Sequence, residues 1–548
     1  MDLVLGEASF KGKLVMIPSQ SSTYDQLPYT RYAFPQTHPD RLASIGMVYG
    51  LTPPDVRSCR VLEIGCGRGG NLIPMAEQLP GSQFVGVDLS RLQIDEAKAW
   101  ALDLGFSNVD LRHMDVLDID ASLGMFDYIV CHGVFSWVPP KVQQAILRIC
   151  RENLVPNGIA TISYNTKPGW NYRGSLRDVM LFRASQLERP AEKLAEAKKL
   201  LELLAKELKG EHLHEKLLLQ EMEALKGKDD SYIYHEYLEE CNSPFYFHEF
   251  TNQLSPFGLQ YLGEADLSLP FGKANVHSLT DAFESLSASY LQLEQYSDFV
   301  TGRMFRQSLI CHQEQVVSRN YDPNILQRFR LESLLEPCVL DETQGSGTQN
   351  QFEGTSDCSA HFRYKHTGKI VQLDFDNPLV EAAFHLLSEV GNGGCSFTWL
   401  FSEAVKRCAS ISRLSGSELQ KLQSLEVVQS LQVALIRAAL SGGLWLHTVP
   451  ASHTLSVSAK PRASKIARSQ AAAGERVTTL QHRSVELNAL DRWLLCNLDG
   501  SNSIAQLVDL VREAMKGQQD SGATPATDPL EFLKSRLAYF VRQALLCS

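Results

Sequence analysis

The twelve cysteines include no C-x-x-C pair, which excludes the usual zinc-ribbon and thioredoxin-type redox patterns. Several sit inside apolar runs, as at Cys131 and Cys311, where a thiol acts as a small hydrophobe in a reducing compartment. Long apolar runs are also missing. None approaches the roughly 18 residues of a membrane helix, and the start MDLVLGEASFKGKLVMIPSQ lacks a cationic signal-type pattern, so a cytoplasmic protein without a membrane span is expected. Positive charge is in deficit. Against 63 Asp and Glu stand 52 Lys and Arg, a net charge of −11, which argues against a dedicated nucleic-acid partner. What remains, with 44% hydrophobic and 21% charged residues over 548 positions, is ordinary globular material for several domains.

Between about residues 60 and 165 strand and helix signals alternate. RVLEIG, QFVGVD, NVDLRHMD, FDYIVCHG and GIATISYN read as strands, and NLIPMAEQL, RLQIDEAKAWALDLG and PKVQQAILRICRENL as helices. Such a repeat predicts a doubly wound α/β domain with ligands at the carboxyl ends of a parallel sheet. After Pro190 the pattern becomes helical. Leu194, Ala197, Leu201, Leu204 and Leu208 share one helix face, and Leu218, Met222 and Leu225 extend a second. This leucine face is expected to pack on the core or on a second subunit. FGLQYLGEADLS and FRQSLICHQE bring strand-like material back. ETQGSGTQNQFEGTSDCS, from Glu342 to Ser359, reads as a polar linker, and Ser452 to Arg476 as another. The cations Lys460, Arg462, Lys465, Arg468 and Arg476 are expected on that solvated second linker.

VLEIGCGRGGN, residues Val61 to Asn71, carries the sharpest signal: glycines that follow a strand and open a helix allow a tight turn and close ligand approach. Gly65, Gly67 and Gly70 also satisfy the dinucleotide pattern G-x-G-x-x-G, and Asp88, ending the second strand, suits a ribose diol in either cofactor class. Three features separate the classes. Glu63 precedes the glycines to give E-x-G-x-G-x-G, Met114-Asp115 ends the third strand, and His132-Gly133 ends the fourth. Together they resemble the class I S-adenosylmethionine-dependent methyltransferases over roughly residues 1–315, with FRQSLICHQE as the last, antiparallel strand.

A narrower resemblance rests on YDQLPYTRYAFPQTHPDRLA (Tyr24 to Ala43), HGVFSWVP (His132 to Pro139), SYNTKPGW (Ser163 to Trp170) and YHEYLEECNSPFYFHEF (Tyr234 to Phe250). These are similar to bacterial methyltransferases that carry a methyltransferase regulatory domain, among them the rickettsial-type protein-lysine methyltransferases. The resemblance implies a seven-stranded Rossmann-like core, and S-adenosyl-L-methionine held by Glu63, Gly65, Gly67, Gly69, Asn71, Asp88, Leu89, Asp115, His132 and Gly133. Tyr24 and Tyr29 would fold over the cofactor as a lid. The implied domains are a cofactor-binding core at 1–190, a helical insertion with the last core strands at 191–315, and a connecting segment at 316–373. Winged-helix-like helical modules at 374–449 and 485–548 flank a linker at 450–484.

An amine acceptor must be neutral at nitrogen, and a lysine pKa near 10.4 therefore calls for desolvation or a proton acceptor. Aromatic walls exclude water and favour a cationic methyl group. Phe135, Trp137, Tyr164 and Trp170 fall on loops after strands four and five, as candidate walls, with Asn165 aimed at nitrogen and Trp137, Tyr164, Asn165 and Trp170 as the catalytic set. No metal site is expected, since the His and Glu residues of 234–250 match no zinc spacing. The reading is a protein-lysine methyltransferase whose partner is an acceptor protein, with a homodimer through the insertion. A small-molecule methyltransferase, a cofactor-binding scaffold without catalysis and a nicotinamide oxidoreductase are the rivals.

Overall fold

A computed structural model describes residues 23–28, 30–268, 283, 286–338, 359–365, 367–375, 377–412, 420–519 and 528–547. They form two compact units: a smaller one from 23–28 and 176–238, and a larger one from the rest.

The larger unit is built on a seven-stranded sheet of β1 (Arg60–Ile64), β2 (Gln83–Asp88), β3 (Val109–His113), β4 (Phe126–Cys131), β5 (Leu154–Asn165), β6 (Leu259–Glu264) and β7 (Phe305–His312). The spatial order is β3-β2-β1-β4-β5-β7-β6. β1 to β5 run parallel, and β7 alone runs antiparallel to both of its neighbours. These runs are thus read correctly as strands, and the central β1 and β4 are buried on both faces while the edge strand β3 is not. Helices Leu72–Gln78 and Arg91–Asp103 cover one face through Leu72, Ile73, Ala97 and Trp100. Helices Pro140–Glu152 and Phe247–Leu254 cover the other through Ile146, Ile149 and Phe250. Strand order reverses between β1 and β4, so the ligand crevice opens above their carboxyl ends.

In the smaller unit helices Pro190–Glu207, Leu213–Leu225 and Asp230–Tyr237 bury Leu194, Leu218, Met222 and Tyr234 together, with Leu201, Leu204 and Leu208 half-buried against them. The leucine face expected to need the core or a second subunit is covered within this unit. Leu203 and Leu213 are left exposed.

The connecting segment at 316–373 holds strands, and the expected linker at 450–484 is corrected. In the segment 316–373, strand Arg330–Ser333 pairs with Cys395–Ser396 and Leu444–His447. Strands Leu335–Pro337, Ser359–Tyr364 and Ile370–Asp374 form a second sheet. Residues 342–358 of the polar run lie outside the described residues. The stretch 450–484 is not a solvated linker. Helix Lys465–Ala473 buries Ile466, Ala467 and Ala471, and strand Arg476–Thr478 pairs with Ser484–Glu486. Small alanines make the buried face of this helix, which is why its composition reads as polar. Its N-terminus is capped from another module: Glu77, on the helix after β1, accepts from Ser464 Oγ and Lys465 N, both at 2.6 Å. Two of the five cations are engaged, with Lys465 Nζ on Leu104 O at 3.1 Å and Arg476 on Tyr32 and Glu486.

A buried polar cluster ties these modules together. His447 contacts Asp40 Oδ2 through Nδ1 (2.8 Å) and Glu332 Oε2 through Nε2 (2.9 Å), while Arg483 contacts both Glu332 oxygens. Burial alone would lower the His447 pKa, but its hydrogen bonds and charge pairing with Asp40 and Glu332 outweigh this and raise it to about 9. Glu332 is held down to about 2 by Arg483 and His447 against its own desolvation. A histidine raised from 6.5 to about 9 gives stability that is fully present below pH 6.5 and lost as pH rises through 9. Melting followed by circular dichroism from pH 6 to 9.5 should show a decline on the order of 3 kcal/mol. His447→Gln should lower stability at pH 6 and flatten that decline; an unchanged slope would contradict the charged-histidine assignment.

Candidate active site

The β1 strand ends in Glu63-Ile64-Gly65, and the chain turns at once because Gly65 (φ +75°), Gly67 (φ +51°) and Gly69 (φ +71°) adopt left-handed backbone. A Cβ on Gly65 would stand 2.5 Å from Val134, and one on Gly70 would stand 2.8 Å from the Arg31 backbone. Only glycine lets the β4 loop and the segment Arg31-Tyr32 approach so closely. Asp88, at the end of β2, accepts from Gly67 N (2.8 Å) and Ser90 N (2.8 Å), joining the glycine loop to the start of helix Arg91–Asp103. Leu89 beside it is an exposed apolar side chain. Asp115, after β3, accepts from Leu117 N through Oδ1 at 2.9 Å.

Glu63 is 4% exposed, and burial is the main cause of a pKa raised to about 8. Its Oε1 accepts from Asn71 Nδ2 at 2.7 Å, and its Oε2 is buried without a partner. Asn71 occupies the N-cap position of helix Leu72–Gln78 yet makes no cap bond, because its amide is committed elsewhere. Nδ2 also donates to Thr37 Oγ1 (2.9 Å), while Oδ1 accepts from Phe34 N (2.9 Å) and contacts His482 Nε2 (2.8 Å).

The β4 end carries His132, whose ring lies 4.1 Å from Phe34 and edge-on to Phe305 at 5.9 Å. Desolvation lowers its pKa to about 4, so it is neutral and a weak base. Gly133, at φ +70°, donates to Ser163 Oγ (2.7 Å), and a Cβ built on it would meet nothing within 4 Å, so its outer face borders open space. Trp137 and Trp170 meet edge to face at 5.9 Å, and Arg173 lies over Trp170 at 5.3 Å. Asn165 is buried, with Nδ2 donating to Asn242 Oδ1 at 3.0 Å.

Other expected residues fall elsewhere. Tyr164 is not a pocket wall: it is buried, stacked on Phe250 at 4.0 Å, and its hydroxyl bonds Ser308 at 3.0 Å beneath β7. Phe135 is likewise buried in the core against Phe250. Tyr24 stacks on His235 at 4.4 Å within the smaller unit, and Tyr29 lies outside the described residues. In the acidic 234–250 stretch His235 bonds Leu27 O, His248 bonds Gln295, and Glu249 pairs with Lys167 at 2.8 Å. Sequence reasoning missed Phe34 and Thr37, which lie within the quoted YAFPQT, and His482, for which no local signal exists.

The site fits S-adenosylmethionine on two observations: a strand-to-helix turn whose left-handed backbone at Gly65, Gly67 and Gly69 favours glycine, and a buried Glu63 oxygen still without a polar partner. Asp88→Ala should then weaken binding of the cofactor by about 1.5–3 kcal/mol, the range for a lost charged hydrogen bond. Unchanged affinity in a folded variant, measured by calorimetry, would remove Asp88 from the site. Gly67→Val should abolish binding, since a side chain there is strained and blocks the approach.

Comparison with known proteins agrees with this geometry. Three family profiles match: a methyltransferase domain at 61–158, a predicted methyltransferase regulatory domain at 229–312, and the PKMT C-terminal winged helix domain at 459–546. The chain is 32% identical over 505 residues to uncharacterized protein RP789 of Rickettsia prowazekii (strain Madrid E), covering 91% of this chain and 86% of that one. It is similar in structure to PKMT2 from Rickettsia typhi in complex with AdoHcy, with a TM-score of 0.80, 29% identity, and coverage of 95% of this chain and 100% of that one. The winged-helix match begins inside the stretch expected to be a linker, in keeping with the helix and hairpin found there. The chain thus belongs to the S-adenosylmethionine-dependent methyltransferases in which a class I core is joined to a methyltransferase regulatory domain and a PKMT winged-helix domain.

Proposed function

We propose that the methyl acceptor is a lysine side chain of a protein. The observation that carries this reading is similarity to PKMT2 along 95% of the chain, regulatory and winged-helix regions included. A small-molecule methyltransferase core alone needs neither. When bound, S-adenosylmethionine supplies a methyl group made electrophilic by its sulfonium. Asp88 would take the ribose diol and Asp115 the adenine amino group, with Glu63, Gly65, Gly67, Gly69, Asn71, Leu89, His132 and Gly133 completing the cradle. The remaining work is orientation and exclusion of water. Trp137 and Trp170 are assigned as the apolar walls that favour a neutral amine, and Asn165 as the amide whose carbonyl oxygen orients it. Neutral His132 flanks the site without serving as the proton acceptor.

Labelled S-adenosylmethionine, the full chain and a bacterial protein extract should yield methyl-lysine in a protein digest. Label confined to a metabolite would overturn the lysine reading and leave the methyltransferase intact; no transfer at all would favour a cofactor-binding scaffold. Trp170→Ala should lower kcat about tenfold or more, because acceptor orientation is lost. Donor affinity should stay within about twofold.

Cytoplasmic residence suits the eleven described cysteines, all unpaired, and no described helix is long and apolar enough to cross a membrane. A second copy of the chain remains a candidate partner, seated on the insertion at exposed Leu203 and Leu213. Light scattering tests it: a dimer that becomes monomeric in Leu203→Glu/Leu213→Glu supports that contact, and a monomeric parent excludes it.

A further inference from the structure

Between strands Arg476–Thr478 and Ser484–Glu486 of the winged-helix module runs a tight hairpin, closed by Thr479 N on Arg483 O at 2.8 Å. His482 in this turn has φ +61°, a left-handed conformation that is strained for a residue with a side chain and easy for glycine. The ring is buried. Its Nδ1 has no partner, and Nε2 lies 2.8 Å from Asn71 Oδ1, 411 residues away in sequence.

The direction of that bond is fixed by its surroundings. Asn71 Oδ1 already accepts from the Phe34 backbone N–H, and Asn71 Nδ2 donates to Glu63 and Thr37. Oδ1 is therefore an acceptor, and His482 must be the Nε2–H tautomer that donates to it. Burial keeps the ring neutral, since it lowers the pKa well below 6.5, and the His38 ring, 5.4 Å away, is neutral for the same cause at about 4. The hairpin is pinned on both sides, by Gln78 Nε2 on Thr479 O at 3.0 Å and by Gln481 and Arg483 on Glu332.

We propose that His482 is a positioning residue for the cofactor site: from the winged-helix hairpin it holds Asn71, and through Asn71 it sets the buried Glu63 carboxyl beside the glycine loop. The strained backbone keeps a side chain that glycine would spare, and its one hydrogen bond serves the loop. The winged-helix module thereby completes the cofactor cradle through this one side chain. This inference rests on the assignment of the glycine loop as the S-adenosylmethionine site.

The test measures S-adenosylhomocysteine affinity by calorimetry on the full chain. His482→Gly relaxes the backbone and removes the donor, and should weaken binding about tenfold, the size expected for a lost buried hydrogen bond. His482→Gln restores an amide donor at comparable reach and should recover most of that loss. Glu77→Ala removes the cap that docks the module without touching Asn71 and should change affinity less than about twofold. In labelled protein, the ring-nitrogen shifts of His482 should report the Nε2–H tautomer. Parent-like affinity in His482→Gly, failure of His482→Gln to recover it, or an equal loss in Glu77→Ala would each overturn the proposal, the last by reducing His482 to a docking contact. If His482→Gly does not fold, His482→Phe against His482→Gln supplies the same contrast of ring without donor and donor without ring. Asp88→Ala separates the two levels: if it too leaves affinity unchanged, the site assignment itself fails, and if it alone weakens binding, only the role of His482 fails.

Discussion

A carboxyl group buried at the end of an apolar strand must find hydrogen bonds or stay protonated, and in this chain that constraint falls on Glu63. Burial raises its pKa to about 8, and Asn71 satisfies one oxygen. Asn71 can do so only because Phe34, Thr37 and His482 occupy its remaining valences. The N-terminal segment, the glycine loop and the C-terminal hairpin therefore meet at one amide. Leaving one oxygen of a buried carboxyl unmatched has a cost, and such a group is the kind of feature that a bound ligand completes.

A second polar cluster gives the modules their fixed relation. Asp40 lies in the first turn of helix Pro39–Val48, Glu332 and His447 lie on adjacent strands, and Arg483 directly follows His482. Partial pairing of such buried charges would be destabilising, whereas here each carboxylate meets a cationic donor. The same side chains that hold the middle module thus hold the hairpin whose tip reaches Asn71.

The parallel core was legible because short β-rich strand signals alternate with helical ones and the glycines fall where a strand turns into a helix. The candidate residues Glu63, Asp88 and Asp115 follow from strand ends in the same way. Tyr164 shows where that logic stops. It ends β5 as Asn165 does, but side chains alternate along a strand, and this one turns into the core toward Phe250. The stretch around Lys465–Ala473 looked like a linker because alanine carries little hydrophobic signal, although alanines line its buried face. His482 could not have been found locally at all. Its partner is 411 residues distant, and only the tertiary docking of the hairpin brings them together.

The most direct test of the account is a crystal structure of the full chain with S-adenosylhomocysteine. The ribose should lie against Asp88, a polar atom of the ligand should meet the unpartnered Oε2 of Glu63, and the Asn71–His482 contact should be intact. Ligand density away from the glycine loop, or a cofactor bound there with Glu63 Oε2 still unpartnered and Asn71 released from His482, would contradict it.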